Sequence, residues 1–159
     1  MKKCTFLIIG LFLIVLSSRA QDLTCSDFKT GKFYIPQSEE LREYTVAFRD
    51  SIIKFMPEKD STANRYIVVR SERTQTEWKN GINQGSPRHE IIEWIDECSY
   101  RLTFDEAKSI MDEEMKWIND NNGIVVSKLQ IEEKCMIYDA TMTTTEGHII
   151  SQKGIICKE

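Results

Sequence analysis

Histidine is scarce in this chain, and the residue patterns of common enzyme families are missing from it. The only two histidines, His89 and His148, have no nucleophile and orienting acid beside them in the sequence. A general base needs both within reach. The sequence also has no glycine-rich phosphate loop, nucleophile elbow or metal triad. We therefore expect a protein that is not an enzyme and uses no cofactor, with both histidines on its surface.

Clusters of basic residues are missing as well. The chain has 21 Lys and Arg residues against 25 Asp and Glu residues. Nucleic acids and anionic membrane surfaces are bound by Lys/Arg patches, so we expect neither as a partner. The acidic clusters Asp112–Glu114 and Glu132–Glu133 lack the alternating ligands and the turn glycine of a calcium loop. We interpret them as solvated surface.

The chain has no apolar run that is long enough for a transmembrane helix. Its longest run, Phe6–Leu16, is about half of the roughly 20 residues that a bilayer requires. Two lysines precede this run, and Ser18-Arg19-Ala20 follows it with small residues at the positions that signal peptidase reads. We predict a signal peptide at residues 1–20, and an exported protein, periplasmic or secreted, with one domain at 21–159 and no transmembrane segment after cleavage.

The cysteine pattern agrees with export. Of five cysteines, Cys4 would leave with the signal peptide, and Cys25, Cys98, Cys135 and Cys157 would remain. An even number of cysteines in an oxidising compartment is typical of disulfides, and four cysteines allow three connectivities. No pair has the C-x-x-C or H-x-x-x-H spacing of a zinc site, so we expect no metal.

A C-terminal hairpin selects one of those connectivities. Thr145-Glu146-Gly147 is typical of a three-residue hairpin loop, with Gly147 at the position of positive φ. The resulting register puts like residues opposite each other, and a slip of one residue would lose every pair. The pairs are Cys135 with Cys157, Met136 with Ile156, Ile137 with Ile155, Tyr138 with Gly154, and Asp139 with Lys153. We predict a Cys135–Cys157 disulfide and, by elimination, a Cys25–Cys98 disulfide.

Six further segments with strand patterns precede the hairpin: Gly31–Ile35, Tyr66–Ser71, Thr74–Trp78, Glu90–Ile95, Cys98–Phe104 and Gly123–Glu132. Ser38–Met56 is predicted to be a helix with an apolar stripe, and a strand at Ser51–Met56 is the alternative. Thr103 followed by Glu106 predicts a capping box that opens a second helix. We expect a β-rich α+β domain: a single antiparallel meander sheet, open or curled like a lipocalin, with one or two packed helices.

Aromatic residues are the one feature that favours ligand binding. Five of them lie on or beside predicted strands: Trp78, Trp94, Tyr100, Phe104 and Tyr138. They would line an apolar pocket if the sheet encloses one. The alternative interpretation is a filled core.

Three motifs resemble those of a group of small secreted proteins from Bacteroidetes-type bacteria. The group shares a C-x-x-F-K/R-T-G-x-F opening, found here as CSDFKTGKF at residues 25–33. It also shares a Q-T-E segment, here at 75–77, and a W-x-x-x-C-x-Y-x-L stretch, here at 94–102. The resemblance supports the Cys25–Cys98 pairing, because both cysteines lie inside these motifs, and it implies no particular activity.

We expect the function to be that of a non-enzymatic exported domain that binds a partner protein or an envelope component. A lipocalin-like carrier of a small apolar ligand is the first alternative. The second is a hydrolase whose residues are distant in sequence, such as His89 or His148 with a carboxylate.

Overall fold

The computed structural model describes residues 22–36, 66–79 and 81–159. The predicted signal peptide at 1–20 and the helix or strand predicted within Ser38–Met56 lie outside these residues. Eight strands form one sheet: β1 Gly31–Ile35, β2 Tyr66–Arg70, β3 Thr74–Trp78, β4 Arg88–Trp94, β5 Ser99–Phe104, β6 Ile124–Glu132, β7 Cys135–Thr143 and β8 Ile149–Lys158.

The sheet closes into an antiparallel barrel. Each strand pairs with the next one along the chain, and β8 returns to pair with β1. The closing pairs are Phe33 with Lys158 and Tyr34 with Cys157. The sequence predicted the antiparallel order of the strands but left open whether the sheet is flat or curled. The structure shows that it is curled and closed.

The C-terminal hairpin has the predicted register. Cys135 pairs with Cys157, Tyr138 with Gly154 and Asp139 with Lys153. Gly147 has a φ of 85°, a left-handed conformation that the turn requires and that glycine adopts without strain. Both predicted disulfides, Cys135–Cys157 and Cys25–Cys98, are present.

Side chains alternate between the inside and the outside of the barrel along the strands, with one irregularity in β6 between Lys128 and Gln130. The inner face holds the main core cluster, which includes Phe33, Val68, Ile92, Val126, Met136 and Ile156. A second buried cluster lies on the opposite face of β1, β2, β7 and β8, around the Cys135–Cys157 disulfide. The strands around this disulfide therefore bury side chains on both faces.

A short 3-10 turn at Cys25–Phe28 closes one end of the barrel. The Asp27 carboxylate accepts hydrogen bonds from the backbone N–H and the hydroxyl of Thr24, at 2.9 and 3.0 Å. Phe28 inserts into the core, where it is 1% exposed and stacks against Phe33 with ring centroids 5.8 Å apart. The Cys25–Cys98 disulfide ties the turn to the start of β5. We call this end of the barrel the plugged end and the other end the open end.

A single α-helix, α1 at Glu113–Asp120, lies among the described residues and packs at the open end. Its Met115 and Ile118 pack against Phe104 and Met142. None of the helices in residues 22–36, 66–79 and 81–159 is long and apolar enough to cross a membrane.

The predicted start of this helix at Thr103 and Glu106 is wrong. Thr103 belongs to β5, where it pairs with Ile91. The helix begins later because Asp112 caps it, with its Oδ1 accepting a hydrogen bond from the backbone N–H of Met115 at 2.8 Å. Glu106 instead accepts a hydrogen bond from the Asn119 amide at 3.2 Å.

Candidate functional site

Polar side chains occupy inner positions on three neighbouring strands. Arg70 on β2 pairs with Gln75 on β3, and Gln75 pairs with Glu90 on β4. All three are buried, with 4 to 7% of their surface exposed. Glu77 on β3 and Tyr100 on β5 lie on the same inner face. We call these five residues, Arg70, Gln75, Glu77, Glu90 and Tyr100, the lumen polar cluster.

Arg70 connects this cluster to the plugged end. Its Nη1 donates a hydrogen bond to the carbonyl oxygen of Phe28 at 2.8 Å. Its Nε and Nη2 donate to Oε1 of Gln75 at 3.0 and 2.8 Å, and Nη2 also donates to the Tyr100 hydroxyl at 2.8 Å. The guanidinium lies 4.6 Å from the Tyr100 ring centre. Burial of this cation is therefore compensated by four hydrogen bonds and an aromatic face.

Glu90 is a member of the cluster with strongly perturbed acidity. Its Oε2 accepts a hydrogen bond from the Gln75 amide. Burial, reinforced by the negative charge of Glu77, raises the pKa of Glu90 to about 8, although Gln75, Arg70 and Arg88 act in the opposite direction. Glu90 is therefore mostly a neutral acid at pH 7.

Glu77 and Tyr138 belong to the same electrostatic environment. Burial raises the pKa of the Glu77 carboxyl, and the nearby Arg88 opposes that increase. Burial likewise raises the pKa of the Tyr138 hydroxyl, as do Tyr100 and Glu77. The Tyr138 ring covers Gly154, where any Cβ would collide with it. This contact was predicted from the hairpin register.

The inside of the barrel is differently covered at its two ends. Toward the plugged end, the inner side chains of Phe33, Val68 and Tyr100 are at most 2% exposed. Toward the open end, Glu77 and Leu102 are partly exposed, whereas Phe104 and Met142 are buried against α1. The open end is thus covered by the helix on one side and accessible beside β2, β3 and β4.

A pocket of about 130 Å³ lies where the lumen becomes accessible. It is lined by Tyr66, Glu77, Lys79, Ser86 and Arg88. Alternation along β2, β3 and β4 places Tyr66, Glu77 and Arg88 on the inner face, and Ser86 comes from the connection between β3 and β4. One water requires roughly 10–15 Å³, so the pocket is large enough for several waters or a small organic group.

Of the five aromatic residues predicted to line a pocket, Trp94, Tyr100 and Tyr138 belong to or pack against the main core cluster, and Trp78 and Phe104 lie elsewhere. Trp94 and Tyr100 contact each other near the plugged end, with ring centroids 4.9 Å apart. Phe104 packs against α1, and Tyr138 covers Gly154. Trp78 pairs with Ile67, whose side chain belongs to the outer cluster. None of the five lines the pocket at the open end.

Neither histidine belongs to the lumen. Nδ1 of His89 lies 3.1 Å from the Thr76 hydroxyl, on the outer face of β3 and β4. His148 is in the turn between β7 and β8, where its Nδ1 lies 3.7 Å from Glu146. Within residues 22–36, 66–79 and 81–159, no group of three or more His, Cys, Asp or Glu side chains is arranged to hold a metal ion.

The lumen polar cluster was missed by sequence reasoning, although strand alternation contains a signal for it. Val68 and Arg70 share a face of β2, and Glu90 and Ile92 share a face of β4. Projecting the apolar faces of these two strands would have placed Arg70 and Glu90 inside.

The chain matches no protein-family model, no curated protein and no solved structure.

Proposed function

We propose that this is an exported, non-enzymatic binding protein that holds a small ligand at the open end of a lipocalin-like barrel. The observation that carries the proposal is the concave pocket at the open end, which inner side chains of β2, β3 and β4 line. Core side chains and the 3-10 turn fill the opposite end of the barrel. Small-molecule sites are commonly concave and largely pre-formed, and the mouths of barrels are common locations for them.

The disulfides support export. Two cystines within a chain of this size are typical of proteins that fold in an oxidising compartment. The sequence signal at residues 1–20 points to the same compartment. We therefore place the binding activity in the periplasm or outside the cell.

The pocket favours a ligand with a polar group over the apolar ligand expected from the aromatic residues. Its lining consists of ionisable and hydroxyl side chains. Apolar inner side chains near the same end, Leu102, Ile124 and Ala140, pack against the main core cluster and are only partly buried. A ligand with one polar end and a short apolar part fits both observations.

The test compares the same bulky substitution at the two ends of the barrel. Ser86→Trp puts an indole into the pocket, and Ser26→Trp places one on the exposed side of the 3-10 turn. The mature protein would be purified from its native compartment, and its bound small molecules would be identified by native mass spectrometry.

We expect a ligand on the wild type and on the Ser26→Trp variant, with occupancy at least tenfold lower on the Ser86→Trp variant. Equal occupancy of the two variants would place any ligand elsewhere. A wild-type protein that carries no small molecule from its native compartment would contradict the proposal.

A further inference from the structure

We infer that residues 37–65 dock on the outside of the barrel, across β2, β1, β8 and β7, and cover the apolar cluster around the Cys135–Cys157 disulfide. We call this cluster the outer cluster; its members are Tyr34, Ile67, Cys135, Ile137, Ile155 and Cys157. The inference concerns the outer face of the barrel and does not depend on the ligand proposed for the lumen.

The side chains of the outer cluster are buried although they point away from the lumen. Ile137 and Ile155 are 1% and 2% exposed, and both cysteines are 0% exposed. Outward apolar side chains elsewhere on the barrel are open to solvent: Ile91 on β4 is 44% exposed, and Ile149, on the same strand and face as Ile155, is 73% exposed. An outward position is therefore not buried by the strands alone, and other parts of the chain must cover the outer cluster.

The described elements that could provide this cover pack elsewhere. Within residues 22–36, 66–79 and 81–159, α1 packs against Phe104 and Met142 at the open end, and the 3-10 turn inserts Phe28 into the lumen. Lys134 reaches the ring of Tyr34, with its Nζ 5.0 Å from the ring centre. One lysine cannot bury six side chains. The remaining cover therefore comes from chain outside these ranges.

The connection between β1 and β2 is attached where it can supply the cover. It leaves β1 after Ile35 and enters β2 at Tyr66, and these two residues are paired next to the cluster members Tyr34 and Ile67. Two antiparallel neighbours need a connection of only about 2–5 residues, whereas this one runs from 37 to 65. The predicted signal peptide at 1–20 would be absent from the mature protein.

The sequence of this connection supplies a matching apolar surface. Its apolar residues at helical spacing are Leu41, Tyr44, Phe48, Ile52 and Phe55. A helix over residues 38–56 would be about 28 Å long at roughly 1.5 Å per residue. Four neighbouring strands are only about 14 Å wide, at roughly 4.8 Å between strands. The apolar stripe is thus long enough to cross the whole outer cluster.

A cover at this place would keep reductants away from the Cys135–Cys157 disulfide. A disulfide is reduced when a thiolate reaches one of its sulfur atoms, and both of these cysteines are fully buried. A variant that loses the cover should therefore expose this disulfide to reduction while the barrel is still folded.

Photo-cross-linking of the full mature protein tests the contact directly. Phe48→benzoylphenylalanine places a photoreactive ring on the apolar stripe, and irradiation followed by peptide mass spectrometry identifies what it touches. We expect cross-links within one molecule to peptides from β1, β2, β7 or β8. Trp117→benzoylphenylalanine is the control, because Trp117 is 44% exposed on α1 and should give no cross-link to residues 37–65. Cross-links from position 48 to α1, to β4 or to a second copy, or none at all, would overturn the inference.

Reduction under native conditions is the second measurement. Phe48→Asp should raise the rate at which dithiothreitol reduces Cys135–Cys157 at least tenfold, as followed by alkylation and mass spectrometry. Val46→Asp adds the same charge on the side of the segment that the helical spacing places opposite the stripe, and it should leave the rate near that of the wild type. Equal rates for the two variants would contradict the inference, and cross-linking decides it if Phe48→Asp does not fold. Neither measurement involves the lumen, so the proposed function is decided separately.

Discussion

The Arg70 guanidinium donates a 2.8 Å hydrogen bond to the carbonyl oxygen of Phe28 and so fastens the 3-10 turn to the inside of the barrel. The Arg70 side chain also donates a hydrogen bond to Gln75, and the Gln75 amide donates one to Glu90. The plugged end and the ionisable lumen are therefore parts of one hydrogen-bonded network. Networks of this kind are sensitive to the loss of any member, because each lost partner leaves a buried polar group unsatisfied.

Replacing Arg70 with Met should lower the free energy of unfolding by about 3 kcal/mol, because the Phe28 carbonyl, Gln75 and Tyr100 each lose a buried donor. Urea unfolding followed by tryptophan fluorescence would measure this loss. Arg73→Met, a matched change at an exposed position, should stay within about 0.5 kcal/mol of the wild type. Similar losses for the two variants would show that the network contributes little.

Stability should decrease as the pH rises through the neutral range. The pKa of Glu90 is about 8 in the folded protein, whereas the unfolded chain is expected to have the ordinary value of 4.5. Between these values the folded state binds more protons than the unfolded state, so the free energy of unfolding falls with increasing pH. The slope for one proton is at most about 1.4 kcal/mol per pH unit.

Glu90→Gln should reduce this slope between pH 5 and pH 8, and the raised pKa of Glu77 acts in the same direction. Glu93→Gln is the matched control, because Glu93 lies on the same strand with its side chain 68% exposed. Three other carboxyl groups, those of Asp27, Asp96 and Asp105, have lowered pKa values. They affect stability in a different pH range, because their stabilising contribution is lost only as the pH falls below 3.8. A wild-type stability that rises from pH 5 to pH 8 would contradict the assignment of a buried neutral Glu90.

Gly154→Ala should destabilise the protein by about 2 kcal/mol, because a methyl group there collides with the Tyr138 ring. In a Tyr138→Ala background the same substitution should cost nothing or be slightly stabilising, since alanine loses less backbone entropy than glycine. A double-mutant cycle from urea unfolding would measure this coupling. An equal cost in both backgrounds would assign the effect to the backbone and not to the ring.

The two disulfides should contribute unequally. They are separated by 73 and 22 residues along the chain, and loop-closure entropy predicts contributions of about 4 kcal/mol for Cys25–Cys98 and about 3 kcal/mol for Cys135–Cys157. Paired Cys→Ala variants, compared by urea unfolding, would give both values. A larger loss for the Cys135–Cys157 pair would show that packing around these fully buried sulfurs outweighs the entropy of the longer loop.

Local patterns predicted much of this fold. The turn at Thr145–Gly147 sets the register of β7 and β8, because a short loop leaves the two strands little freedom to slide. The same register identified the Cys135–Cys157 disulfide, which left Cys25 and Cys98 to pair with each other. These predictions succeeded because each depends on residues that are close in sequence or on a count of cysteines.

Closure of the barrel had no comparable local signal. It depends on two residue pairs between β1 and β8, Phe33 with Lys158 and Tyr34 with Cys157, which are far apart in the chain. The start of α1 was misplaced because Thr103 and Glu106 satisfy the capping pattern, but strand pairing at Thr103 prevails. The polar lumen was missed because Gln75 and Glu77 alternate with Thr76 and Trp78, so β3 has no apolar face that would identify its inner side.

The pairing of β1 with β8 also affects how the protein behaves among copies of itself. At the closing pairs, Phe33 with Lys158 and Tyr34 with Cys157, the backbone N–H and C=O groups of the two strands are paired within the molecule. Open rows of such groups are the template on which chains add to one another as fibrils. The ion pair between Lys32 and Glu159 lies at the same seam. Closure at this seam therefore removes the end of β8 from the strand edges through which copies of the protein could polymerise.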